Sequence, residues 1–336
     1  MTDLFAAVDC GTNSVRLLIA RASAAGLAEV DRRLFITRLG QGVDATGRFA
    51  PEALERTFAA MDDFAAQLGS LGGARTRVVA TSAARDAANS AVFFDGVRAR
   101  FGVDAEIISG AEEAALSYAG AVGALPGLPT PALVMDIGGG STELALGEPA
   151  ANVILSETAT ERQVAGSMPL GISRQPDAGA GSPLAVSLDM GSVRLRERFF
   201  ASDPPTPAQI EAAEAFADGL LDGSGVPFGD ASSWVGVGGT ATCLSAIALG
   251  LSSYDAAAVH GSTLTRETID ALSDRLLAMP VAEIVKIPTM VPGRADVICA
   301  GALICRAVGR RVAGDLRVSE ADLLDGIVAR LAADGR

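Results

Sequence analysis

VMDIGGGSTELALG, residues 134–147, sets an acid, three consecutive glycines and two hydroxyls directly behind an apolar run. PALVMD, residues 131–136, reads as a buried strand, IGGGST as a tight turn and ELALGE as the returning chain. Phosphoryl oxygens need many donors close together, and backbone N–H groups crowd around them only where bulky side chains are absent. Gly138, Gly139 and Gly140 meet that requirement, and Ser141 and Thr142 add hydroxyls.

The same arrangement occurs near the start of the chain. FAAVD (5–9) reads as a strand, CGTNS as a polar hairpin turn and VRLLIARA as a second strand. Asp9 corresponds to Asp136, Gly11 to Gly138 and Ser14 to Ser141, all 127 positions apart. Thr12 and Asn13 complete the first loop. This repeat predicts two related α/β domains, each carrying an acid and a phosphate-sized loop. A third glycine loop follows a strand in SSWVGVGGTATCLSAIALG, 232–250, where a plain strand-to-helix junction reads equally well.

Composition bounds what such loops serve. The chain has 336 residues, 49% hydrophobic but only 4% aromatic, so Leu, Val, Ile and Ala must fill the core. Twenty-seven basic against 40 acidic residues leave a net charge of −13, which disfavours nucleic acid and anionic membrane as partners. An anionic substrate still fits if a few arginines, amides and a divalent cation act locally. The start shows no basic leader, and no apolar run is long enough for a membrane span. Four cysteines without a CxxC spacing predict buried, reduced thiols and a cytoplasmic setting. His260, the single histidine, reads as a local hydrogen-bonding residue.

Between the loops, strands alternate with helices. PEALERTFAAMDDFAAQLGSLG (51–72), NSAVFFDGVRARFG and EEAALSYAGAVGAL predict helices, and RTRVVATSA and DAEIISG predict strands. GALPGLPTP (123–131) is the clearest linker. The segment from Thr158 to Phe200 reads as strands and loops. The last helix is predicted within VSEADLLDGIVARLAADGR, with Ser319 as its cap. The implied domains are 1–126, 127–303 and a C-terminal helical segment, 304–336, packing back on the first.

Several side chains suit phosphoryl chemistry. Asp9 and Asp136 end their strands, where they would hold magnesium directly or through water, with Glu143 as a further ligand. The alternative is that both cap their own turns. Glu112 and Glu113 open a helix, where a carboxylate could deprotonate a water or simply form a polar first turn. Arg85, beside Asp86, would stabilise a phosphoryl group or form an ordinary ion pair. GGGSTE lacks the lysine of a P-loop, and GVGGTAT is no dinucleotide fingerprint. Arg194, Arg196 and Arg198 would share one face of a strand, or begin a helix.

The ordered set FAAVDCGTNSVRLLIA, RLGQGVDATGRF, VVATSAARDAANS, IISGAEEA, LVMDIGGGSTEL, VGVGGTATCLSAI and RADVICAG resembles the exopolyphosphatase and guanosine pentaphosphate phosphatase family over about residues 4–330. The resemblance implies two ribonuclease-H-like domains of the actin, Hsp70 and sugar-kinase superfamily, with a cleft between them. It also implies magnesium-dependent removal of the terminal phosphoryl group from polyphosphate or guanosine pentaphosphate. Glu113 takes the position of the catalytic glutamate, with Glu143 near metal and water. Asp9 and Asp136 take those of the loop acids, and Arg85 that of the phosphate-binding arginine. Thr12, Asn13, Ser14, Ser141 and Thr142 fall where phosphate is held. Longer relatives carry further C-terminal domains, so short or medium polyphosphate is the expected substrate, and a homodimer is expected by analogy. A sugar or acetate kinase and a non-hydrolysing polyphosphate or alarmone sensor are the competing readings.

Overall fold

A computed structural model describes residues 4–23, 26–148, 171–174 and 182–334. Much of the segment expected as strands and loops after Thr158 lies outside these residues. By its contacts the chain forms two compact units, residues 1–109 with 323–336, and residues 110–322. The division therefore precedes the helix that holds Glu113 and does not fall at the linker after residue 126.

The first unit runs β1 (Leu4–Cys10), β2 (Ser14–Ser23), β3 (Gly26–Ile36), the single turn α1 (Val43–Thr46), α2 (Pro51–Ser70), β4 (Arg75–Ala80), α3 (Ser82–Asp86), α4 (Ser90–Phe101) and β5 (Ala105–Ile107). Its sheet has the order β3-β2-β1-β4-β5. The β1–β2 and β2–β3 pairs are antiparallel, while β4 lies parallel to β1 and β5 parallel to β4. β1 is central and buried along its whole length, which explains its unbroken apolar run. α2 starts with Pro51 in its first turn, where a missing N–H costs nothing, and buries Leu54, Met61, Phe64 and Leu68 on one stripe.

The second unit runs α5 (Gly110–Ala124), β6 (Ala132–Ile137), β7 (Thr142–Gly147), β8 (Ile172–Arg174), β9 (Leu184–Leu188), α6 (Ser192–Phe199), α7 (Pro207–Gly223), β10 (Ser233–Val237) and α8 (Gly238–Ala248). It continues through α9 (Ala256–Val259), β11 (Thr263–Leu264), α10 (Arg266–Ala278), α11 (Val281–Ile284), α12 (Ile298–Gly309) and β12 (Leu316–Val318). Its sheet is ordered β11-β12-β10-β6-β7-β9-β8 among the described residues. The inner five strands repeat the first unit's order and directions, with β6 in the place of β1. The repeat read from the two loops is thus a repeat of whole ribonuclease-H-like sheets.

α13 (Leu323–Asp334) returns to the first unit, packing on β1 and β2, and Asp325 meets Arg32 at 2.8 Å. Ser319 does not cap it. Its hydroxyl instead closes a short turn with both the N–H and the carbonyl of Ala321. The SVRLRERF stretch is helix α6, so its three arginines do not share one strand face. Arg198 lies over the ring of Phe216.

Candidate active site

In the second unit the β6–β7 hairpin places Asp136 directly opposite Glu143, with both side chains on one face of the sheet. Both carboxylates are buried, at 8% and 2% exposure. Each is oriented by a serine hydroxyl from a different element. Ser117 of α5 donates to Asp136 Oδ2 at 3.0 Å, and Ser187 of β9 donates to Glu143 Oε1 at 2.8 Å.

Glu113 reaches the same neighbourhood through helical spacing. Gly110, Glu113 and Ser117 recur along one face of α5. Gly110 lies hard against Ser187, since a Cβ there would come within 2.2 Å of the Ser187 Cβ, and Ser117 is bonded to Asp136. The face carrying Glu113 is therefore the face turned to the two carboxylates. Glu113 is itself buried, at 8% exposure.

The glycine loop between β6 and β7 is anchored from behind. Ser192 N–H and Oγ donate to Gly138 O, and Val193 and Arg194 N–H donate to Gly139 O, at 2.9–3.1 Å. A trans peptide directs its N–H opposite to its C=O. Carbonyls 138 and 139 point at α6, so the N–H groups of Gly139 and Gly140 point away from it, as a phosphate cradle requires. The approach of α6 depends on Gly191, where a Cβ would lie 2.2 Å from the Gly139 carbonyl. Thr142 is fully buried and donates its hydroxyl to Met190 O, so it fastens this loop from within.

The third glycine loop buttresses the same acid. Gly238 has a φ of 72°, and a Cβ there would come within 2.5 Å of Asp136 Oδ1. Thr240 Oγ1 donates to Ile137 O at 3.2 Å. Arg294 occupies the space that a side chain at position 239 would need and donates to Gly239 O.

The first unit repeats the backbone with different chemistry. Gly11 N–H donates to Ser14 O at 3.0 Å, as Gly138 N–H does to Ser141 O. Opposite Asp9, however, stands Arg16, whose Nε and Nη2 lie 2.9 and 2.7 Å from Asp9 Oδ2. Asp9 thus meets a guanidinium where Asp136 meets a second acid. Arg85 lies in the last turn of α3 and donates through Nη1 to Ile108 O at 2.8 Å.

Ser117, Ser187, Gly191 and Arg16 were not singled out in the sequence. Helical spacing from Glu113 points to Ser117, and the 127-residue offset that aligns the loops also aligns Arg16 with Glu143. Ser187 and Gly191 carry no local signal, because their roles come from distant strands and helices. The basic GRRVAGDLRV segment is an ion-pair lattice, with Arg310 and Arg311 held by Glu214, Asp218 and Asp222. His260 is a hydrogen-bonding residue but not a local one, accepting at Nδ1 from the N–H of Glu320, 60 residues on, and lying 3.3 Å at Nε2 from the carbonyl of Ala124, 136 residues back.

A family model for Ppx/GppA phosphatases matches residues 18–332. The chain belongs to that family. It is 44% identical to exopolyphosphatase 2 of Mycobacterium tuberculosis, over 97% of this chain and 98% of that relative. A solved exopolyphosphatase-like protein superimposes with a TM-score of 0.84 at 38% identity, covering 99% of this chain and all of its own. A Ppx/GppA family member from Aquifex aeolicus gives 0.76 at 28% identity, covering 99% of this chain and 98% of its own. No helix among the described residues is long and apolar enough to cross a membrane.

Magnesium, expected from the motifs, asks for hard oxygen donors and retains several waters. The second unit supplies such donors in Asp136 and Glu143, two buried carboxylates side by side, whose mutual repulsion a cation would relieve. Among the described residues no three acidic, histidine or cysteine side chains gather closely enough to hold an ion unaided. The donor set fits a site completed by water and phosphoryl oxygens rather than a closed protein cage.

Proposed function

We propose that the protein is a magnesium-dependent exopolyphosphatase that releases orthophosphate from the end of short or medium polyphosphate chains. The observation that carries this reading is the buried Asp136–Glu143 pair beside a glycine loop whose carbonyls are taken by α6, with Ser117, on the same face of α5 as Glu113, bonded to Asp136. Membership of a phosphatase family and likeness to a relative named exopolyphosphatase support it.

In this reading Glu113 accepts the proton of a water that attacks the terminal phosphorus, and Glu143 orients that water. Backbone N–H groups of Gly139 and Gly140 stabilise charge on the phosphoryl oxygens without reorganising, because α6 holds the loop in place. In the first unit Gly11, Thr12, Asn13 and Ser14 supply donors of the same kind. Arg85 acts as the phosphate-binding cation. Asp136 and Glu143 would hold magnesium, which would supply charge neutralisation at the phosphate oxygens. Asp9 keeps Arg16 in place. A homodimer is the proposed assembly.

The test is phosphate release from polyphosphates of defined length, guanosine pentaphosphate and ATP with magnesium, alongside Glu113→Gln. Hydrolysis of polyphosphate that is lost in the variant is the expected result, with the length series fixing the chain preference. Faster turnover of guanosine pentaphosphate would move the reading to alarmone hydrolysis. Binding without turnover of any of these would replace it with a sensor.

A further inference from the structure

Gly110 is the first residue of α5 and of the second unit. Its backbone is not left-handed, so an alanine would meet no conformational strain there. Alanine is also the better helix former. What forbids it is space. A Cβ at position 110 would lie 2.2 Å from Ser187 Cβ, 2.5 Å from Ser187 Oγ and 3.2 Å from Ser173 Oγ. Carbon atoms in contact stand about 3.5–4.0 Å apart, so α5 or β9 would have to move by more than about 1 Å. β9 is paired on both sides, with β7 and with β8, so the helix is the element that yields.

The later part of α5 is tied to the sheet separately. Ser117 is bonded to Asp136, and the Tyr118 hydroxyl donates to Gly147 O at 2.6 Å. Glu113 belongs to the first turn, on the face shared by Gly110 and Ser117. A side chain at position 110 would therefore lift the turn that carries Glu113, and leave the Asp136–Glu143 pair and the glycine loop behind it where they are.

We infer that Gly110 is a positioning residue for the hydrolysis, its missing side chain setting how near Glu113 stands to the Asp136–Glu143 pair. This inference rests on the reading of Glu113 as the group that takes the proton of the attacking water. Displacing a reacting group by about 1 Å costs about 100-fold in rate. Substrate and magnesium, held by other elements, keep their affinities.

The test is Gly110→Ala, assayed well below its thermal midpoint. The kcat for polyphosphate is expected to fall about 100-fold, with KM and the half-maximal magnesium concentration within about twofold of the parent. The same substitution made on Glu113→Gln should lower the residual rate by no more than about twofold, because the group it displaces is already gone. In a Ser187→Gly background, which makes room for the new methyl, it should cost less than about threefold relative to Ser187→Gly alone. If Gly110→Ala does not fold, Ser187→Thr, which presses on α5 from the strand side and keeps the hydroxyl, repeats the measurement. An unchanged kcat, or the full loss repeated on Glu113→Gln, would overturn the inference and leave the hydrolase reading standing. A parent without turnover, or one indifferent to Glu113→Gln, overturns that reading and this inference together.

Discussion

Asp136 and Glu143 face each other across the β6–β7 ladder, and the same ladder position in the first unit is held by Asp9 and Arg16. One backbone, used twice, therefore carries an acid pair in one copy and an ion pair in the other. The ion pair sets opposite charges together, whereas the acid pair sets like charges together, an arrangement that a bound cation would favour.

The ion pair should matter for stability. Arg16 and Asp9 side chains are only 14% and 6% exposed. Arg16→Met would leave the Asp9 carboxylate buried beside an apolar chain, with an expected loss of about 3–5 kcal/mol. Urea denaturation measures it. A midpoint equal to that of the parent would mean that water or another group compensates Asp9 fully.

The serine hydroxyls behind the acid pair give a finer test. Ser117→Ala removes the donor that orients Asp136, and Ser187→Ala the one that orients Glu143. Loss of such supporting hydrogen bonds typically weakens metal affinity about 10–100-fold. The magnesium concentration for half-maximal phosphate release should rise accordingly, with fold and thermal midpoint nearly unchanged. Identical magnesium dependence in both variants would detach these carboxylates from the metal.

The elements that carry the candidate site follow from local pattern. The two loops and their acids lie in contiguous motifs, and the 127-residue offset matches the doubled sheet, whereas Glu113 stood out from a polar first turn only through the family resemblance. What escaped was fixed by long-range packing. Ser187 meets Glu143 as its direct register partner on the neighbouring strand, 44 residues later, and Gly191 is demanded by a carbonyl more than fifty residues earlier. Neither carries a signature in its own neighbourhood. The contact-based division before α5 departs from the linker position for a related reason. Pro and Gly mark the 123–131 turn clearly, but α5 packs against β6, β7 and β9 and so joins the sheet that follows it.

Two glycine substitutions should behave in opposite ways. At Gly191 a new Cβ would meet backbone atoms of Gly139 at 2.2 Å, so α6 must retreat from the loop. Gly191→Ala is expected to cost about 1–3 kcal/mol and to raise KM, because the cradle loses its backing. Gly219 is exposed within α7 with nothing near its Cβ position, and Gly219→Ala should stabilise by about 0.5–1 kcal/mol at unchanged activity. Equal thermal midpoints for the two variants would refute the packing described for α6.

Alkaline pH should unfold the protein through its buried thiols. Burial pushes Cys243 and Cys299 up to about 11 and Cys305 to about 12, and Cys10 well above the ordinary thiol value, the last helped by Asp9. Tyr118, whose hydroxyl is bonded to Gly147 O, is likewise pushed up to about 12 by burial. In the unfolded chain the thiols release their protons near about 8.5, so above that pH the native state binds more protons than the unfolded one. Stability is then fully present below about pH 8.5 and falls as pH rises toward the native values. Each thiol contributes a loss of about 2 kcal/mol by pH 10, and four together approach the whole stability of an ordinary domain. Urea midpoints at pH 8 and pH 10 measure the fall, and Cys305→Ala should make it shallower. A midpoint independent of pH over this range, with all four thiols labelled quickly in the native state, would contradict their burial.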